Sequence, residues 1–239
     1  SQPSPSAARD LRHHLESFHG KSDPQALAVA WPHLGHPDRF IRWAARTAIE
    51  HQPVATWAEK ALASKNPDAL MALARAAGVC PQHRKADTPP VDTAMRGKLL
   101  TALLKLDLAK LPPPQQLTAL RTIEIVLNRF DGCDDTQRQA LIAKLDPMFP
   151  AATPEQNWLL CETLVYLQAP SAAAKGMSLI ANAPTQEEQI DYARILRFAA
   201  SGWTKGAKWK HVADGGKGAV AVPGLSLAGW LLLDRKSVV

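Results

Sequence analysis

Arg39, Arg42 and Arg46 recur at i, i+3 and i+7 in the stretch RFIRWAAR. On a helix that spacing puts three guanidinium groups along one stripe. Such a stripe can hold a phosphate group or the acidic side chains of a partner. Trp43 lies beside the apolar face of the same helix, and His36 stands in the hinge just before it. His36, Arg39, Arg42, Trp43 and Arg46 therefore form the candidate interaction surface. The plain alternative is a solvated helix face, with Glu50 four residues after Arg46 as its counter-charge.

Other reactive residue types give weaker patterns. His13, His14, His19, His33, His36 and His51 crowd the first 51 positions. A metal or haem site needs several of them to converge, and no tight ligand spacing occurs, so they read as hinge and helix-surface residues. Cys80, Cys133 and Cys161 are odd in number and widely spaced, without CxxC or CxxCH. Cys80 and His83 make one ligand pair, which is too few for a site. Cys161, inside an apolar run, reads as a small core residue. Trp31, Trp43, Trp57 and Trp158 could line a groove for a base or sugar, but Trp31 and Trp57 fall at core phases of their helices. Glu187, Glu188 and Asp191 suit the first turns of a helix, with no second carboxylate to make an acid–base pair. Ser–His–Asp, Gly-rich phosphate-loop and HExxH patterns are absent. The expectation is binding without bond-breaking: no catalytic, metal or cofactor residue is assigned.

The elements that position these residues are helices. Leu11, Leu15 and Phe18 mark the first. Asp23-Pro24 opens a second with Leu27, Ala30, Trp31 and Leu34 inward, and Pro32 tightens its end. Pro37 stops that helix and Asp38 caps a third over 38–51, with Ile41, Ala44, Ala45, Ala48 and Ile49 on one face. Pro53 opens a fourth. Asn66-Pro67 starts a fifth that ends at Gly78. The polar stretch 79–91 reads as an exposed loop. Further helices are expected over 92–106, from Pro113 or Pro114, from Asp134 or Asp135 to Leu145, from Thr153-Pro154, over 171–183, and from the capping-box string TQEE at Thr185 to Gly202.

Eleven helices with short joints and no strand pattern predict an all-α chain of antiparallel hairpins. Ala and Leu dominate its composition, and β-branched runs are scarce. The 239 residues carry a net charge of +6, but the excess is uneven. Residues 1–202 hold 22 Lys and Arg against 20 Asp and Glu, and 203–239 hold 6 against 2. A near-neutral body argues against a phosphate-tracking surface, so nucleic acid is not the expected partner. The apolar run 225–233 is too short to span a bilayer. Six of the 13 glycines lie in 203–239, and the terminal DRKSVV looks like a translated sequencing adapter. The expectation is therefore a helical domain over 1–203 and an irregular, artefactual tail over 204–239.

The segment LGHPDRFIRWAARTAI resembles the hinge and second helix of a HEAT repeat, with an Arg directly after the apolar Ile41. Such repeats often carry an Asp six residues before that Arg, where this chain has His36. The resemblance implies a HEAT-like α-solenoid of about five stacked hairpins, at roughly 35–45 residues per pair. Several strings together are more specific: AWPHLGHPDRFIRWAARTAIEHQPVATW, LLKLDLAKL, KLDPMFPA, LCETLVYLQAP and APTQEEQIDYARILR, followed by GWT. They resemble the helical segment of large bacterial haem-binding CxxCH proteins of the PVC type. That resemblance implies a piece of an exported, multidomain redox protein in the periplasm or cell envelope. The piece would be a scaffold beside neighbouring domains of the same polypeptide or another protein. Covalent haem c would belong to the parent and to no residue of this segment. The alternative from another class is a HEAT-like DNA-repair glycosylase, which needs a cationic groove and a carboxylate near a flipped base. A bilin-lyase-like HEAT protein has no residue in its favour.

Overall fold

The helices that open at Arg39, Pro67, Thr93, Pro154 and Gln186 begin where a side chain satisfies a free N–H group of the first turn. The structure, a computed structural model, describes residues 5–203. The described residues form eleven α-helices and contain no strand. They are α1 (Pro5–Glu16), α2 (Ala26–Ala30), α3 (Arg39–Glu50), α4 (Ala58–Leu62), α5 (Pro67–Ala77), α6 (Thr93–Lys105), α7 (Pro113–Arg129), α8 (Asp135–Leu145), α9 (Pro154–Tyr166), α10 (Ala172–Asn182) and α11 (Gln186–Leu196). The expected tail over 204–239 lies outside the described residues. No described helix is long and apolar enough to cross a membrane.

The starts follow the sequence signals. Asp38 Oδ1 accepts from the Phe40 N–H at 2.7 Å, Asn66 Oδ1 from the Asp68 N–H at 2.9 Å, and Asp92 Oδ1 from the Met95 N–H at 2.8 Å. Thr153 and Thr185 cap α9 and α11 in the same way. The ends differ more. Pro32 turns the end of the second helix into a single 3₁₀ turn, Trp31–His33, as its ring requires. The fourth helix is split into a 3₁₀ turn, Val54–Thr56, and the short α4. The eleventh stops at Leu196 and not at Gly202.

The chain divides into two compact units, Ser1–Gln137 and Arg138–Val239. In the first, α3 packs on α1 and α5, and α5 packs on α3 and α7, with α2, α4 and α6 filling in beside them. The inner face of α3 is Ile41, Ala44, Ala45, Ala48 and Ile49, all buried. Helix α5 is enclosed on all sides, and every residue from Pro67 to Ala74 is buried. Its last turn meets the end of α7 so closely that a Cβ on Gly78 would stand 2.6 Å from Phe130 and 2.7 Å from Arg129. Arg129 Nη1 donates to the carbonyls of Arg75 and Gly78 at 2.9 and 2.8 Å, satisfying groups at the end of α5. The polar loop that follows is pinned by Arg84, whose guanidinium reaches Asp131 and the Arg129 carbonyl.

In the second unit α9, α10 and α11 pack on one another. Gly176 of α10 lets Leu196 of α11 come within 2.7 Å of where a Cβ would be. Cys161 sits in this core with no exposed surface, and burial pushes its thiol up to about 12. It is a packing residue and not a nucleophile.

Candidate interaction site

Because α3 buries one face, the opposite face projects its long and aromatic side chains outward. Phe40 is 56% exposed and Trp43 48% exposed. Arg39 is exposed, and its guanidinium lies 5.2 Å from the centre of the Phe40 ring. Arg42 and Arg46 lean back toward α5 and are half-buried. Arg39, Phe40, Arg42, Trp43 and Arg46 join Asp68 of α5 and Thr118 of α7 around an open concavity of ≈ 460 Å³.

Asp68 is the unusual member. It is the second residue of α5, and because that helix is enclosed, only 2% of Asp68 is exposed. Its Oδ1 is 3.9 Å from Arg42 Nε and 3.9 Å from Arg46 Nη1. Those are ion-pair distances, beyond hydrogen-bond reach. Its Oδ2 is buried and has no hydrogen-bond partner. Burial pushes the Asp68 carboxyl above its ordinary range, and Arg42 and Arg46 pull it back only in part. The same burial pulls the Arg46 guanidinium below its ordinary value, with Glu50 acting against it.

The guanidinium groups are held from behind. Arg42 Nη1 donates to the carbonyl of His36 at 2.6 Å and to that of Pro37 at 3.2 Å. Arg46 Nη1 points at the Met71 sulfur at 3.1 Å. Arg46 Nε is 3.4 Å from Glu50 Oε1 without a hydrogen bond, and that oxygen accepts from Arg75 Nε at 2.7 Å.

Of the five residues expected at this surface, Arg39, Arg42, Trp43 and Arg46 line the concavity. His36 does not. Its Nδ1 accepts from the Asp38 N–H at 3.0 Å, and its carbonyl anchors Arg42. The acid partner of Arg42 comes from Asp68, on the next helix but one, where the HEAT resemblance would have put an Asp at position 36. Phe40, Asp68 and Thr118 were not legible as site residues. The signal for Asp68 was its place directly after an Asn-Pro helix start, which by itself reads only as a first-turn acid.

The other candidates separate. Trp57 is buried and its Nε1 donates to the Gln52 carbonyl at 3.3 Å. Trp31 is half-buried beneath Lys60, 4.2 Å from the ring centre. Trp158, 45% exposed, belongs to the second unit, where it lines a smaller concavity with Tyr166 and Phe198. His19 and His51 stack at 6.0 Å, each bonded to an α3 carbonyl. Among the described residues no group of three or more His, Cys, Asp or Glu could hold a metal ion.

No family model, curated protein or solved structure matches this chain.

Proposed function

We propose that this chain is a non-catalytic helical scaffold whose α3 face binds another protein surface. The parent would be the exported haem-binding redox protein that the sequence resemblance implies, and the partner one of its neighbouring domains. The observation that carries this reading is the outward face of α3. Two large exposed aromatics and three guanidinium groups surround one concavity there. Exposed aromatics beside arginine are the composition of interface anchors. The serial contacts of α1, α3, α5 and α7 support HEAT-like stacking. The test is a titration of this chain against the purified neighbouring domains of the longer polypeptide. Binding that Trp43→Ala weakens would support the scaffold. Absence of binding, or turnover by the chain alone, would remove it.

One observation favours the DNA-glycosylase alternative: the Asp68 carboxyl and Trp43 line the same arginine-bearing concavity. Against it stands the near-neutral charge of residues 1–202. A DNA titration at several salt concentrations separates the two, since a phosphate-tracking enzyme loses affinity steeply with salt.

A further inference from the structure

We propose that the concavity between α3, α5 and α7 takes a carboxylate side chain of an acidic partner segment. The carboxylate sits against Arg42 and Arg46 and shares one proton with Asp68, while an apolar neighbour in the partner covers Trp43 and Phe40. This deepens the scaffold reading and rests on it for the identity of the partner as a protein.

The bonding around Asp68 is incomplete. Two guanidinium groups approach Asp68 to 3.9 Å without hydrogen-bonding to it. Asp68 Oδ2 and Arg46 Nε are buried and lack hydrogen-bond partners. Native interiors seldom leave such atoms unmatched. A group that fills this place must accept from guanidinium N–H and share a hydrogen with the Asp68 carboxyl that lines it. A second carboxylate does both once a proton from solvent lies between it and Asp68. Two carboxylates in close contact cannot both remain ionised, so binding takes up one proton.

The charges admit this. Arg39, Arg42 and Arg46 line the concavity against Asp68 alone, and a partner carboxylate still leaves the cluster cationic. The groups that face Asp68 are Arg42 and Arg46 of α3. Behind them, Glu50 of α3 is occupied by Arg75 of α5. Helix α7 contributes Thr118 to the lining, an uncharged side chain whose hydroxyl donates to the Pro114 carbonyl at 3.0 Å. Burial already holds the Asp68 carboxyl above its ordinary range, the direction that eases proton uptake. The aromatic rim asks for an apolar residue next to the acid. The cations of the concavity all come from one helix, and the rest of the body is near neutral, so it offers no cationic track for a nucleic-acid backbone.

The probe is a fluorescein-labelled peptide of about a dozen residues alternating Glu with Leu and Phe. Its control has Gln for every Glu, and a single-stranded oligonucleotide of equal length competes. The Glu peptide should bind the full chain about tenfold more tightly than the Gln peptide, and Arg39→Glu and Trp43→Ala should each weaken it by roughly tenfold. Wild-type affinity should rise as pH falls from neutrality toward the carboxylate range. Calorimetry in two buffers of different ionisation heat should register one proton taken up. Asp68→Asn should bind at neutral pH at least as tightly, with no pH dependence and no proton uptake. Equal binding of the two peptides, unchanged pH dependence in Asp68→Asn, or displacement of the peptide by the oligonucleotide would each overturn the proposal. If Asp68→Asn does not fold, the proton count on the wild-type chain and the two surface variants still decide. Domain binding without Glu-peptide binding would remove this inference alone. Glu-peptide binding without domain binding would remove the scaffold assignment alone.

Discussion

Asp68 in the first unit and Asp146 in the second are both aspartates in the first turn of a helical segment, close to basic side chains. Their surroundings diverge. Asp146 accepts from the Ser171 hydroxyl and from Lys175 Nζ at 2.9 Å, and Lys175 also reaches its carbonyl at 2.6 Å. Burial raises its carboxyl, but the bonds from Ser171 and Lys175 more than compensate and leave it below the ordinary range. Asp68 has cations at 3.9 Å and one oxygen with no partner, and it ends above that range. Close bonds from Ser171 and Lys175 to its Oδ1 make Asp146 a structural clasp between the 3₁₀ turn Asp146–Met148 and α10. Incomplete bonding in a lined concavity makes Asp68 a place for something else to bind.

The largest effect should come from removing a cation beside Asp68. Arg46→Met leaves the buried Asp68 with Arg42 alone and takes a partner from Glu50. We expect a loss of about 3 kcal/mol in urea unfolding at neutral pH, with most of it recovered in the Arg46→Met, Asp68→Asn double variant. Additive losses would break the comparison by showing that the two residues do not act on each other.

Asp146→Ala comes next, at about 1.5 kcal/mol, for the charged hydrogen bonds to Ser171 and Lys175 at a site that is partly exposed. The pH sign sharpens the contrast. The folded-state carboxyl of Asp146 is depressed, so its contribution is present above the unfolded value of 3.8 and disappears as pH falls through the lower folded value. Asp146→Ala should therefore match wild type in strong acid and fall behind it at neutral pH.

Asp68→Asn should run the other way. Its folded-state carboxyl is raised, so the wild-type chain has its full stability below 3.8 and loses some as pH rises through the folded value. The variant should equal wild type in acid and exceed it by less than about 1 kcal/mol at neutral pH. A destabilised Asp68→Asn at pH 7 would mean that the guanidinium pairs outweigh burial.

The smallest effect belongs to Arg39→Glu, which should change stability by under about 0.5 kcal/mol because Arg39 is exposed. Its loss should be visible in peptide binding and not in a melt.

Much of the helical framework was legible. Asp38, Asn66, Asp92, Thr153 and Thr185 cap the helices that their sequence positions implied, since a cap is a contact between residues two or three apart. The buried face of α3 was readable for the same local reason. The ends of the second and fourth helices were less so. Their single turns are settled by neighbours and by proline rings, and not by periodicity. Within the site, the spacing of Arg39, Arg42, Trp43 and Arg46 placed them on one helix. It did not separate exposed Arg39 from the half-buried Arg42 and Arg46.

The order of residues alone determined the all-helical make-up of the described residues, their helix starts and an α3 with one apolar and one basic-aromatic face. Those depend on interactions within a turn or two of helix, which a linear pattern encodes. Only the tertiary structure decided that α5 lies enclosed between α3 and α7. That enclosure carries Asp68 out of water, sets it across from arginines more than twenty positions earlier, and leaves its carboxylate incompletely bonded. Desolvation depends on everything that surrounds a group, and no local spacing records it.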